Sequence, residues 1–579
     1  MSGRYAQIGP RDEASVVDGD RSFVGIDMRL DPDFLQQGIA ANAVNMIFRR
    51  GIAEPRFGFV TKAWGRQGGV DFTIDFPFDF DIPTGFGKVW GATTFTDPNG
   101  QESQILACTD YSWEISANTL PSVIQYPAGI SIDAPVTFTQ AFQVLIMWRG
   151  ADKNPIKMDT ALDFSIGRTW REVEDETNPD YTSTIPDADT GLHYGNRIWV
   201  PSGNSEVAYS DILSYTRYDA SLSTIWVNEG EGDVLMKLAA FGSNSIVAFK
   251  NNSIYYITSP LPNPSAAARV DVITTQRGLV AINTVVQVGR DLWFLSDDGV
   301  YAISQVIESA LQAGENPVTA PLNPLIKRIN WEAAEKATAI YDDKYYYLAV
   351  PLDGAAFNNT ILVYDILNSQ WVGYWESPVI DVVAFLRIRV SGHRKLAFIS
   401  GDSIEGNNGV LYVLDESYAD ERFGEEVDIE TELLTRGYKC NLDADKQYIF
   451  AAAEVATWNG AGTIQALRDG VNEVSTILGY EKDRTKYALF AKRSYDTSNV
   501  NDDFLDPFRQ DYSVELPEGG IFLGSGIMTG LHQYSSERMR IRQDSHFIQL
   551  RILGTRGRTK VRGCSVEAHA DLMPMRTTI

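Results

Sequence analysis

The chain has 579 residues, 44% of them hydrophobic, with 26 Tyr and 27 Phe, enough to bury a sizeable core and to exclude wholesale disorder. Its formal net charge is −26, from 76 acidic against 50 basic residues, which argues against a sequence-reading DNA binder but leaves open a protein past which DNA slides. Cys108, Cys440 and Cys564 form no CxxC pair, the N-terminus has no apolar signal-like stretch, and no run of ~18 apolar residues occurs, so a soluble protein made in a reducing cytoplasm is expected.

In chain order, residues 1–22 are polar and read as a loose arm. A helix is expected over 33–45, where Leu35, Ile39, Val44 and nearby Met46 give a rough apolar face. Residues 71–81 alternate carboxylates with Phe72, Phe76, Phe78 and Phe80. Four such rings are costly to leave in water, so this loop either docks on a neighbouring subunit or covers its own domain.

From about Gly87 the pattern is almost entirely β. Residues 244–303 carry a hairpin unit twice, with turns at Asn251-Asn252, Gly289-Arg290 and Asp297-Asp298-Gly299 whose residue types supply the positive φ of tight hairpins. The apolar cores at 254–257 and 292–295 are separated by close to the ~40–45-residue period of a four-stranded propeller blade. Comparable units fall at 88–115, 136–158, 193–211, 235–257, 285–303, 337–375 and 382–414. Another short helix is expected at 331–336.

The expected architecture is therefore mainly β: a β-propeller of six to eight blades over 87–420, an N-terminal arm and platform segment over 1–86, and a β-sandwich-like C-terminal module over 421–579. The last module reads as strands at 427–435, 448–457, 462–468, 538–542, 547–554 and 560–570, interrupted by an acidic-polar stretch at 498–520.

No constellation in the sequence points to catalysis or to a cofactor. Ser296-Asp-Asp-Gly-Val-Tyr301 lacks the spacing and the Trp of a sialidase-type Asp box and reads as a hairpin turn. His193, His393, His532, His546 and His569 have no metal-ligand spacing, and no nucleophile elbow, P-loop or dinucleotide fingerprint occurs. An enzyme is not expected. Residues 537–562 are locally basic: Arg538, Arg540, Arg542, Arg551, Arg556, Arg558, Lys560 and Arg562 stand against Glu537 and Asp544. Alternation at 538, 540 and 542 would put three guanidinium groups on one strand face, able to attract acidic subunit surfaces or DNA phosphate, or simply to be solvated. Arg538, Arg540, Arg542, Arg556 and Arg558, with Phe72, Phe76, Phe78 and Phe80, are the candidate interface residues.

Several segments resemble one family. Gly25-Ile-Asp-Met-Arg-Leu-Asp-Pro, Leu35, Gly38, Ala43-Val-Asn45, Gly51 and Pro55-Arg56-Phe-Gly58 are similar to the opening of tail nozzle (tail hub, or tail tubular) proteins of short-tailed bacteriophages. Arg197-Ile-Trp-Val, Val207-Ala-Tyr-Ser-Asp211, residues 251–258, Arg277-Gly-Leu-Val-Ala, residues 295–303, and residues 429–440 with Lys446 resemble its later parts, in the same order. The resemblance implies a structural virion protein without catalytic residues. Such a protein is made in the host cytoplasm and assembles as a homohexameric ring below the portal and adaptor. It would contact a tail fibre or tailspike, and DNA would leave through the lumen without sequence-specific binding. The alternatives are a host-surface or glycan-binding propeller, with or without hydrolytic activity, and an intracellular interaction hub.

Overall fold

A computed structural model describes residues 15–61, 87–116, 119–161, 167–173, 177–178, 181–182, 185–219, 223–230, 232–242, 244–258, 260, 264–304, 306, 316–390, 393–401, 409–415, 417–422, 425–440, 446–468, 474–482 and 535–569. The protein is mainly β, built from many small antiparallel sheets. Seven of them follow in chain order on the seven stretches read as repeat units.

The first holds strands Val89–Thr96, Glu102–Cys108, Tyr111–Ser116 and Thr119–Gln125. The second holds Thr137–Ala141, Val144–Trp148, Ile156–Asp159 and Trp170–Glu172. Leu192–Tyr194, Arg197–Ser202, Glu206–Tyr209 and Thr224–Trp226 make the third. The fourth comprises Leu235–Ala240, Ser245–Lys250, Ile254–Thr258 and Arg269–Thr274. The fifth has three strands, Val286–Val288, Asp291–Ser296 and Gly299–Ala302. Thr338–Asp342, Tyr345–Val350, Thr360–Asp365 and Gln370–Glu376 make the sixth. The seventh joins Val382–Val390, His393–Ser400 and Leu411–Asp415 to Gly58–Thr61, a strand from far upstream.

Continuous apolar runs such as Val144–Trp148 arise because these strands are buried on both faces, each face meeting a neighbouring sheet. Side chains alternate between the two faces with a period of two. Leu145 and Met147 pack with Ile105 and Ala107 of the first sheet, whereas Ile146 and Trp148 pack with Ile198 and Val200 of the third. Ile246 and Ala248 of the fourth sheet likewise meet Trp199 of the third, while Val247 and Phe249 meet Phe294 of the fifth. Leu106 and Cys108 of the first sheet share a core with Ala397 and Val413 of the seventh.

The turn chemistry differs in part from expectation. Gly289 turns at φ +62° and Gly299 at φ +150°, but Asn251, Asn252, Asp297 and Asp298 are absent from the positive-φ positions. The Asn turn is held from outside instead: Asp233 accepts the Asn252 backbone N–H at 3.0 Å and the Ser253 hydroxyl. At the Asp turn, Arg277 ion-pairs with Asp298 at 3.0 Å, and a side chain on Gly299 would collide with the Thr319 hydroxyl.

Three further expectations are corrected. The helix over 33–45 is a single 3-10 turn, Pro32–Phe34, followed by short strands Ile39–Ala40 and Asn42–Val44. Its apolar spacing was irregular, and Gly38 and Asn45 adopt positive φ, which an α-helix does not tolerate. The second expected helix shrinks to the 3-10 turn Ala334–Lys336. The loose arm contains strand Ser15–Asp20, paired with Cys564–His569.

The C-terminal strands extend the sixth sheet. From Gln370–Glu376 the order runs through Asn42–Val44, Thr431–Leu434, Ile548–His569, Lys446–Arg468 and Val474–Lys482. Two pairs of strands expected from sequence are each one long strand: Lys446–Arg468 has 23 residues and Ile548–His569 has 22. Register shifts at their middle, between Glu454 and Val455 and between Trp458 and Gly462, mark bulges that let so long a pair bend. Hydrogen bonding thus crosses both expected domain boundaries. Among the described residues, no helix is long and apolar enough to cross a membrane.

Candidate functional site

The locally basic stretch is placed by two strands, Ser535–Ser545 and Ile548–His569. Arg538 lies opposite Ala452 and Arg540 opposite Phe450. A bulge between Arg540 and Gln543 shifts the register of the strand pair. Phe72, Phe76, Phe78 and Phe80 lie outside the described residues, as does the 498–520 stretch, and the side chains of Arg538, Arg540, Arg542 and Arg556 are likewise not described.

The rest of the stretch is paired with acidic residues of the same chain. Arg551 meets Glu432 at 2.7 Å, Lys560 meets Glu54 at 3.4 Å, and Arg562 meets Glu454 at 3.6 Å. Arg558 is buried, ion-paired with Glu54 and in contact with the Tyr418 hydroxyl. Here the basic residues clasp the N-terminal segment and Tyr418 to the long strand pair. Sequence gave no signal for these partners, because Glu54 and Arg558 lie 504 residues apart.

Two more ionic clusters tie the same segments together. Arg56 makes a two-pronged ion pair with Asp420, at 2.8 and 2.7 Å, with neither side chain exposed. Asp420 also accepts the Phe59 backbone N–H at 2.8 Å and the Ser377 hydroxyl, while Arg56 Nε donates to Asn45 at 3.1 Å. Asn45 in turn donates to the carbonyls of Glu376 and Glu430 at 2.8 and 2.7 Å. Gly58 is required beside this cluster, because a Cβ there would sit 1.9 Å from the Ala419 carbonyl. In the other cluster Arg436 pairs with Asp18 at 2.6 Å and Asp20 at 3.0 Å, fastening the first strand.

Burial alone would raise the Asp18 and Glu54 carboxyls, but Arg436 beside one and Arg558 with Lys560 beside the other hold both below their ordinary values of 3.8 and 4.5. A depressed folded pKa means stability that is complete above the ordinary value and lost as pH falls through the folded one. Urea unfolding from pH 6 downward should therefore show stability declining below about pH 4.5. The decline should flatten in a chain carrying both Asp18→Asn and Glu54→Gln. An unchanged slope in that chain would assign the acid sensitivity elsewhere.

Burial pushes the Cys108 thiol up to about 12 and the Cys564 thiol higher still, so neither is a ready nucleophile. His193 is held below its ordinary value by burial and stacks edge-on against Phe142 at 5.1 Å.

No family model matches the chain, and no curated protein matches it. Among solved structures, it is similar to the computationally designed Ika8 protein at 13% identity and TM-score 0.32, covering 69% of this chain and 98% of that one. It is also similar to U3-55K at 11% identity and TM-score 0.34, covering 57% and 96%. A third similarity is to BBS1N in complex with ARL6DN, at 12% identity and TM-score 0.33, covering 57% and 98%.

Proposed function

We propose that the seven sheets are the blades of a closed propeller carried on a larger, tube-forming subunit, and that the protein is the tail nozzle of a short-tailed phage. Support for closure comes from the shared core of the first and seventh sheets and from strand Gly58–Thr61, which completes the last sheet with upstream chain. The observation that carries the nozzle reading is the long strand pair. At ~3.3 Å per residue a strand of this length runs roughly 70 Å, far beyond what one small sheet needs.

One such ribbon per subunit, set side by side around an axis, would wall a tube. Six copies of an acidic chain would give that tube a like-charged lining along which DNA slides rather than sticks. On this reading the protein is a structural virion component below the portal and adaptor, contacting a tail fibre or spike, and not an enzyme.

Mass photometry of the protein purified with its adaptor tests this directly. Rings of about six copies, the number the nozzle reading carries, are expected, closed by cyclic symmetry. A chain carrying Arg538→Glu, Arg540→Glu and Arg542→Glu should lose rings while keeping its β circular-dichroism spectrum. Persistent monomers in the parent chain would overturn the nozzle reading. Unchanged rings in the variant would remove the three arginines from the interface.

A further inference from the structure

All seven sheets contribute to the wall of one cavity of about 1070 Å³. The first strand of each sheet lines it, as do the segments that lead into those strands, and most of the lining residues are apolar or small. Lys88, Lys237 and Lys336 stand on this wall, and the fold treats them differently.

Lys88 lies over the Trp90 ring, its Nζ 4.2 Å from the centroid. Lys336 is exposed, and its Nζ donates to the Ala356 carbonyl at 2.9 Å, so water solvates the rest of its charge. Lys237 is the contrast. It stands on the first strand of the fourth sheet, partly buried, and its Nζ donates to the Ile282 carbonyl at 2.6 Å. An ammonium carries three protons, and among the described residues Lys237 has no ion pair and no second hydrogen bond. Asp189, Glu335 and Asp381 line the same cavity, but none of them pairs with it. Protein closes round the amine, and burial pulls it down to about 8.

A cation desolvated without a counter-charge is relieved by losing its proton. At pH 7.4 roughly a fifth of such an amine is neutral, against about 0.1% of an ordinary lysine. A neutral lysine amine held in an apolar pocket is the form that attacks a carbonyl carbon.

We propose that Lys237 is a covalent docking point for a small uncharged aldehyde entering this cavity. Nζ attacks the carbonyl carbon and forms the C–N bond. The carbonyl oxygen then leaves as water with the two amine hydrogens, and C=N remains. Protonated by solvent, the imine keeps one N–H for the Ile282 carbonyl and carries no more charge than the ammonium it replaces. Carbon dioxide would instead leave a carbamate anion, a new charge to be buried. An uncharged aldehyde gives up little solvation on meeting a wall made mostly of apolar and small residues.

Timed labelling of the full chain tests the proposal. The protein is incubated with about 1 mM propanal and cyanoborohydride, which supplies the hydride that fixes the imine as a propylamine, and labelled sites are followed by peptide mass mapping. Lys336, exposed on the same wall, is the internal reference. At pH 7.4 Lys237 should be labelled at least about tenfold faster than Lys336, its larger neutral fraction outweighing the lower basicity. That lead should narrow as pH rises towards about 10.5, where ordinary lysines also lose their protons. It should vanish in concentrated urea, where burial is lost. Labelling of Lys237 no faster than that of Lys336, or none at all, would overturn the proposal. So would a lead that survives in urea or stays constant up to about pH 10.5. None of these readouts depends on ring assembly, so the outcome is separate from that of the nozzle reading.

Discussion

Asp420→Ala is expected to destabilise the chain by about 3–5 kcal/mol, measured by urea unfolding, because it strands the Arg56 guanidinium in the interior without its counter-ion. Both side chains are fully buried, so water cannot replace what is lost. The carboxylate also holds the Phe59 N–H and the Ser377 hydroxyl, and both would be left short of an acceptor. Arg56→Ala should cost a similar amount for the mirror reason. Replacing both together, Arg56→Met with Asp420→Leu, should recover much of the loss, since it removes two desolvated charges at once. A single variant within about 1 kcal/mol of the parent would show that the pair is not the keystone its geometry suggests.

A fragment spanning only 87–420 is expected not to unfold cooperatively on heating, although it contains most of the seven sheets. Without strand Gly58–Thr61, the strand Leu411–Asp415 becomes an open edge, and the core of the seventh sheet loses Phe59. Phe59 is fully buried, with its ring 4.8 Å from Phe398 and 6.1 Å from Trp375. In the full chain, Phe59→Ala should cost about 3–5 kcal/mol by leaving a cavity among these rings. The fragment also lacks the segment bearing Asn45 and Arg56, so the Asp420 cluster cannot form. A sharp thermal transition in the 87–420 fragment would show that the repeat region folds without its upstream strand.

The repeat units were legible because alternation is a local signal. Each buried strand, such as Val144–Trp148 or Ser245–Lys250, is an apolar run bounded by turn residues, and the seven stretches read from sequence all fall on sheets. Edge strands were harder to see. Arg269–Thr274 exposes half its residues to solvent, and Trp170–Glu172 is three residues long, so neither carries a strong pattern. The helix expected at 33–45 failed for the opposite reason. Its residues are apolar because Ala40 and Ala43 enter the shared core, and burial, not helical period, placed them. The basic stretch showed the limit of charge counting. Its excess over 537–562 is visible in the sequence, but Glu54 and Glu432, which pair with it, lie far outside that window.

By itself, the sequence determined the β class, the seven units and the acidic balance, because these depend on residue type and on neighbours a few positions away. Tertiary structure alone decided which segments belong together: that residues 58–61 complete the seventh sheet, that residues 42–44 and then 431–434 bridge the sixth sheet to the long strand pair, and that Arg56 meets Asp420 across the chain. Such contacts join positions hundreds of residues apart. They are selected by the geometry of a common core and by the need to pair every buried charge, neither of which leaves a local trace.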